Sequence, residues 1–143
     1  MIRLARIDDL PAITRVRTSV RENHLSVEQM AERGITEATI AAAMRSGNIV
    51  AWISESLGNI AAFAMVEPAT GKLFALFTDP SHAGHGHGEE LLMEAGNHLR
   101  AAGCRNITLD TGEGTSAVGF YAKRGFIVTA MRDGDVFMAK RIS

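Results

Sequence analysis

Leu73-Phe74-Ala75-Leu76-Phe77-Thr78-Asp79-Pro80-Ser81-His82-Ala83-Gly84-His85-Gly86-His87-Gly88 runs from an apolar segment into a glycine-rich loop, and at Glu89-Glu90-Leu91-Leu92 the hydrophobic period changes. Residues Lys72 to Thr78 read as a strand. Leu73, Ala75 and Phe77 alternate with Phe74 and Leu76, so both faces are apolar, which predicts a central strand covered on both sides. Beyond the loop, Leu91, Leu92, Ala95, Leu99 and Ala102 form one helical stripe that closes at Gly103. This helix is expected to begin at about Gly88. Glycines let a backbone turn without a Cβ in the way, so several N–H groups can converge on one point. A helix start adds its own unpaired N–H groups and the positive end of its dipole. The segment therefore reads as an anion cradle suited to a phosphate or diphosphate, with a glycine-rich strand-to-helix turn that holds no ligand as the other reading. It is not a P-loop, because no Gly-Lys-Ser/Thr follows, and its G-x-G-x-G spacing is not the dinucleotide fingerprint G-x-G-x-x-G.

Outward from this segment the chain alternates strands and helices. On the N-terminal side, Ile2 and Leu4 flank Arg3 in a first strand. Asp8-Asp9-Leu10-Pro11 is a helix start, with an acidic cap and a first-turn proline, and the helix is expected to run to about Arg21. Ser26 and Gln29 have capping-box spacing, and Thr36 caps a further helix with Ile35 and Ile40 placed as a hydrophobic staple. Gly47 ends it. Strands follow at Ile49–Ser54 and Ile60–Val66, joined through Leu57-Gly58-Asn59. On the C-terminal side come a strand at Asn106–Asp110, a helix capped by Thr115 and stopped at Gly125, and strands at Ile127–Met131 and Val136–Ala139. This order predicts an α/β (α+β) fold, a mixed, curved sheet with helices on both faces, in a single domain over residues 1–143.

Composition narrows the function classes. Of 143 residues, 46% are apolar and 22% charged, and 15 basic against 16 acidic residues leave a net charge of −1. Such a chain is neither disordered by composition nor a nucleic-acid binder driven by bulk charge. The longest apolar run, Ile60 to Val66, is too short to cross a bilayer, so no membrane partner is expected. A lone cysteine, Cys104, and an N-terminus without a signal-type apolar stretch fit a soluble cytoplasmic protein. His82, His85 and His87 raise the possibility of a metal site, but no cysteine lies nearby in sequence. They read instead as solvent-facing side chains on a loop whose backbone does the binding. Arg15, Arg17 and Arg21 are spaced for a partly solvated helix face that is open to an anionic substrate group.

Two motifs resemble the GNAT superfamily of N-acetyltransferases. Leu76-Phe77-Thr78-Asp79-Pro80 followed by Ala83-Gly84-His85-Gly86-His87-Gly88 is similar to the family's strand, Val-x-Pro and Gln/Arg-x-x-Gly-x-Gly/Ala. Gly114-Thr115-Ser116-Ala117-Val118-Gly119-Phe120-Tyr121-Ala122-Lys123-Arg124-Gly125-Phe126 is similar to its second motif, Asn-x-x-Ala-x-x-Phe/Leu-Tyr-x-Lys-x-Gly-Phe. Ala83 stands where Gln or Arg is usual, and Gly114 where Asn is frequent.

The resemblance implies acetyl-CoA as acyl donor. Its diphosphate would lie on Ala83, Gly84, His85, Gly86, His87 and Gly88. Its pantetheine arm would pair like an extra strand with Phe77, Thr78 and Asp79, in a sheet splayed between Lys72–Thr78 and Asn106–Asp110. Tyr121 would hydrogen-bond the departing sulfur as proton donor. The strand before the loop has no carboxylate where many relatives have a Glu, which leaves Glu22, Glu67, Asp110, Glu113 and His82 as base candidates. Glu22 is taken forward because it follows the first helix, where a substrate-facing segment falls. The implied activity is direct acetyl transfer to a primary amine of a small molecule or protein. A non-catalytic acyl-CoA-binding module keeping the fold is the alternative, and a metal-binding histidine loop a third possibility. An exposed apolar strand edge could pair two copies as a homodimer.

Overall fold

Seven strands and five helices follow one another along the chain: β1 (Ile2–Leu4), α1 (Leu10–Ser19), α2 (Val27–Glu32), α3 (Glu37–Ser46), β2 (Val50–Ser56), β3 (Asn59–Glu67), β4 (Lys72–Thr78), α4 (His87–Ala101), β5 (Asn106–Gly112), α5 (Ser116–Ala122), β6 (Ile127–Arg132) and β7 (Asp135–Arg141). The computed structural model describes all residues from Met1 to Ser143. One sheet takes all seven strands in the order β1-β2-β3-β4-β5-β7-β6. Neighbours are antiparallel except β4 and β5, which run parallel and share a single registered pair, Lys72 with Thr108. Beyond that pair the two strands part, so the sheet splays where the resemblance implied.

Local signals account for most element ends. The Ser26–Gln29 capping box forms in both directions, at 3.1 and 2.8 Å. Thr36 caps α3 through the Thr39 N–H at 3.1 Å, and Gly47 closes it with a left-handed φ of 81°. Asp9 departs from its expected role. Its carboxylate accepts from Arg3 and from the Arg6 N–H, which closes a short 3-10 turn at Ile7–Asp9, and it does not cap α1. α1 stops at Ser19, two residues short of Arg21, because Val20 turns to extended backbone.

The period-2 alternation of β2 and β3 explains the two helical layers. Trp52, Ala62, Ala64 and Val66 face α4, where Leu91, Leu92, Ala95 and Leu99 are buried. Ala51, Ile53, Phe63 and Met65 face the opposite layer, with Leu10, Ile13 and Val16 of α1 and Ile40 of α3. Full burial of a leucine such as Leu91 or Leu99 contributes roughly 1.5–3 kcal/mol, so α4 is strongly held. Ala102 is exposed just past the helix and does not belong to the stripe.

β4 is not the doubly covered strand its apolar pattern predicts. Only Leu73 is buried, and Phe74 to Thr78 are half-buried. The strand borders the gap left by β5, so its apolar side chains line a cleft. At the sheet's far edge, β6 exposes Ile127, Val128 and Met131. No helix is long and apolar enough to cross a membrane.

Candidate active site

The loop after β4 delivers the chain into α4 through Gly84 and Gly86, with φ of 81° and 82°. Those values favour glycine, since a Cβ there is strained. Gly86 is the N-cap of α4, which starts at His87, one residue before the expected position. The backbone N–H groups from Gly84 through Glu89 donate to no acceptor in the chain, and the first ladder bond is from the Glu90 N–H to the Gly86 carbonyl at 3.1 Å. A Cβ added at Gly84 or Gly86 meets nothing within 4 Å, so the loop borders open space at these two positions. Gly88 differs: its side lies against the Phe120 ring at 3.5 Å. Six consecutive amides without an acceptor at the positive end of a 15-residue helix are chemically suited to an anion.

The residues around this cradle divide by role. Asp79 accepts from the Ser81 N–H and Oγ at 3.0 and 2.9 Å and pairs with Arg15 at 3.2 Å. Those hydrogen bonds, the Ser81 backbone foremost, hold its carboxyl below the usual range. Its side chain thus shapes the turn. Ala83 and His85 are exposed beside the glycines, and Thr78 is half-buried near Gly88. His87 corrects the expectation that all three histidines face solvent. Its Nδ1 shares a 2.8 Å hydrogen bond with Oγ of Ser54, a fully buried residue of β2. Burial, more than the nearby His82, lowers the pKa of His87. This contact ties the first turn of α4 to the sheet.

Below the cradle, the splay opens into a cavity of about 950 Å³. Phe74 to Thr78 form one wall, Leu109 to Gly112 another, Ala117 and Tyr121 of α5 a third, and residues from α1 through α3 close the far side. Tyr121 is buried, edge-on to Phe120 and Phe126 at ring separations of 5.2 and 5.3 Å. Burial alone pushes its pKa up, with no hydrogen-bond partner in the chain to offset it. The phenol is therefore neutral and holds its proton at neutral pH.

The model of the acetyltransferase (GNAT) family matches residues 8–126. The chain belongs to this family. Several solved structures share the fold. The PaiA N-acetyltransferase from Thermoplasma acidophilum, solved in complex with coenzyme A, is 20% identical with a TM-score of 0.84, covering 99% of this chain and 98% of that one. The YncA putative acetyltransferase from Salmonella typhimurium, solved with acetyl-CoA, is 20% identical with a TM-score of 0.75, covering 100% and 94%. The ribosomal-protein-alanine N-acetyltransferase from Brucella melitensis is 20% identical with a TM-score of 0.74, covering 99% of each chain. No curated protein matches the sequence.

In this GNAT chain, Gly114 has a φ of 77°, so the turn before α5 needs a residue that accepts left-handed backbone. Glycine meets that need without a Cβ to strain. Glu22 lies at the cavity wall, but its Oε2 accepts from Ser116 Oγ at 2.6 Å and from the Ser116 N–H at 2.9 Å. These bonds hold its carboxyl below the usual range and satisfy the first turn of α5, whose N-cap Thr115 bonds Gly112 instead. Such a carboxylate is a poor proton acceptor at neutral pH. Of the other base candidates, Asp110 pairs with Lys72 at 3.5 Å, Glu67 ends β3, Glu113 is exposed, and His82 sits in the short turn after Pro80.

Two features escaped the sequence. Asn23, at φ 56°, donates from Nδ2 to Thr111 Oγ1 at 2.9 Å and accepts the Gly112 N–H on Oδ1 at 2.8 Å. It clamps the segment after α1 to the end of β5. A Cβ on Gly112 would lie 2.5 Å from that Oδ1, so the clamp requires glycine there. The available signal was an asparagine between a helix end and the next cap, a position suited to left-handed backbone. The second is the stacking of Arg17, one of the helix-face arginines named above, whose guanidinium carbon sits 4.0 Å above the Phe77 ring.

Proposed function

We propose that this chain is a single N-acetyltransferase domain over residues 1–143 that transfers the acetyl group of acetyl-CoA to a primary amine. The observation that carries the proposal is the run of six free amides from Gly84 to Glu89 beside the open edge of β4. That pairing suits a donor with a diphosphate and an extended amide-bearing arm. The amides take the diphosphate, with the helix dipole adding attraction. The edge of β4 at Phe77, Thr78 and Asp79 takes the arm as an added strand.

Acetyl transfer needs a neutral amine, a bond from its nitrogen to the thioester carbon, and loss of the sulfur. In the direct route the new C–N bond forms and the C–S bond breaks within one ternary complex, with no acyl-enzyme. Tyr121 gives its phenolic proton to the leaving thiolate. Burial keeps the phenol protonated and so able to hydrogen-bond the departing sulfur, while the raised pKa makes it a weaker acid, so the proton passes only as negative charge builds on that sulfur. Glu22 is assigned a positioning role, as the anchor of α5 and hence of Tyr121. The amine proton is assigned to solvent in the cleft. The acceptor is a primary amine of a small molecule or a protein.

The alternative, a non-catalytic acyl-CoA-binding module, is favoured by one observation: β4 carries no carboxylate, and Glu22 and Asp110 are both engaged. Calorimetry with acetyl-CoA tests the cradle, and thiol release against a panel of amines separates the two readings. Binding with turnover supports the enzyme, and binding without turnover supports the module.

A further inference from the structure

Arg17 is the half-buried guanidinium of this molecule that lacks a carboxylate. Arg3, Arg15 and Arg124 each have one, at 2.8, 3.2 and 3.3 Å. Arg17 has none, and its Nη1 is buried without a hydrogen-bond partner. The side chain lines the cavity with its planar group stacked on Phe77. A desolvated cation without an anion is costly, and a ligand anion removes that cost. Arg33, at the end of α2, lines the same cavity, and its charge adds to that of Arg17. Of the four acidic side chains lining the cavity, three are turned to other partners. Glu22 holds Ser116, Glu37 accepts from Thr14, Asp110 pairs with Lys72, and Asp135 is exposed at the start of β7.

From this arrangement we infer that the acceptor amine carries a carboxylate, which Arg17 binds on the face of β4 toward α1, with Arg33 as a second, outer cation. The inference rests on the acyltransferase reading and names the acceptor class for the same site. A planar guanidinium fixed on an aromatic face matches the fork of a carboxylate better than a point charge would. Leu25, Val27, Met30 and Phe74 line the same cavity and suit an apolar body between amine and acid. Phe77 connects the two functions, since its backbone belongs to the stretch assigned to the pantetheine arm and its ring carries Arg17.

The test uses the full chain, free and saturated with CoA, and three probes with one amine: 4-(aminomethyl)benzoate, its carboxamide, and the matching phosphonate. Calorimetry should find the carboxylate bound about tenfold or more tightly than the carboxamide, the usual scale for a charge-assisted hydrogen-bonded pair. Arg17→Met keeps the apolar stem on Phe77 and should abolish that preference. Arg17→Lys, which has charge without the fork, should restore only part of it. Arg33→Gln, on an exposed residue, should weaken the carboxylate a few-fold and covers the case in which Arg17 variants fail to fold. Equal binding of carboxylate and carboxamide, including no binding of either at millimolar concentration, overturns the inference. So does a preference that survives Arg17→Met, or a phosphonate that binds while the carboxylate does not. Carboxylate binding to a chain that does not bind acetyl-CoA would keep the anion site and remove the acyltransferase reading, so the two failures are separable.

Discussion

The Tyr121 side chain is buried, but its hydroxyl is not sealed in the core: it has no partner in the chain and opens on the cavity. Burial raises its pKa. Tyr121→Phe removes one oxygen and no protein hydrogen bond. The melting temperature should hold or rise, while kcat falls about a hundredfold, within the range for loss of a general acid, and acetyl-CoA affinity is unchanged. A rate equal to the parent in steady-state thiol release would remove Tyr121 from the chemistry. Carboxylates make a second residue-scale prediction. Arg3, through its hydrogen bond to Asp9, holds that carboxyl low, and Ser116 does the same for Glu22. In the unfolded chain both return to ordinary values of about 4. Below that pH the unfolded state takes up more protons than the folded one, so stability is full above it and falls as pH drops through the folded values. Denaturant midpoints should ease downward from neutral pH, because His87 protonates more readily in the unfolded chain, and decline more steeply below about 4 as Asp9 and Glu22 protonate. Asp9→Asn should lower the midpoint at pH 7 and flatten the acid limb.

At the scale of elements, left-handed positions decide how strands and helices meet. The β2–β3 hairpin turns through Leu57 and Gly58, with φ of 53° and 78°, and the β6–β7 hairpin through Asp133 and Gly134, with 52° and 83°. Both are two-residue turns whose central residues need positive φ, which suits Asn-Gly or Asp-Gly. Leu57 is 96% exposed and gains nothing from packing. Leu57→Asn should raise stability by about 1 kcal/mol, read as a higher denaturation midpoint with unchanged slope. The cradle follows the same rule with a functional outcome. Gly86→Val should cost about 1–2 kcal/mol of backbone strain and project a side chain over the free amides. Acetyl-CoA affinity should drop sharply in calorimetry, and an unaltered affinity would refute the diphosphate site.

The whole molecule is a sheet with a core on each face, opened on one line between β4 and β5 and tied across that line by a few long-range contacts. Asn23 reaches Thr111 and Gly112 from 88 and 89 residues away, and Glu22 reaches Ser116 from 94. Asn23→Ala breaks two of these bonds and should destabilise by about 1–3 kcal/mol, with a larger effect on acceptor KM than on acetyl-CoA affinity. Much of this architecture was legible from residues close in sequence. The alternation in Trp52–Val66, the Ser26 and Thr36 caps, the Gly84–Gly88 cradle and the Phe120–Phe126 segment express periods and backbone preferences that act over a few residues. Local order along the chain, the two-faced sheet and the glycine turn into α4 were therefore determined before folding. The fold alone decided that β7 lies between β5 and β6, that β4 lines a cleft although its pattern is that of a covered strand, that His87 turns to Ser54, that Glu22 anchors a helix, and that Arg17 stands on Phe77 without an anion. Each of these pairs residues far apart in the chain. No local period encodes such a pairing, because it depends on which surfaces come together when the two cores are buried.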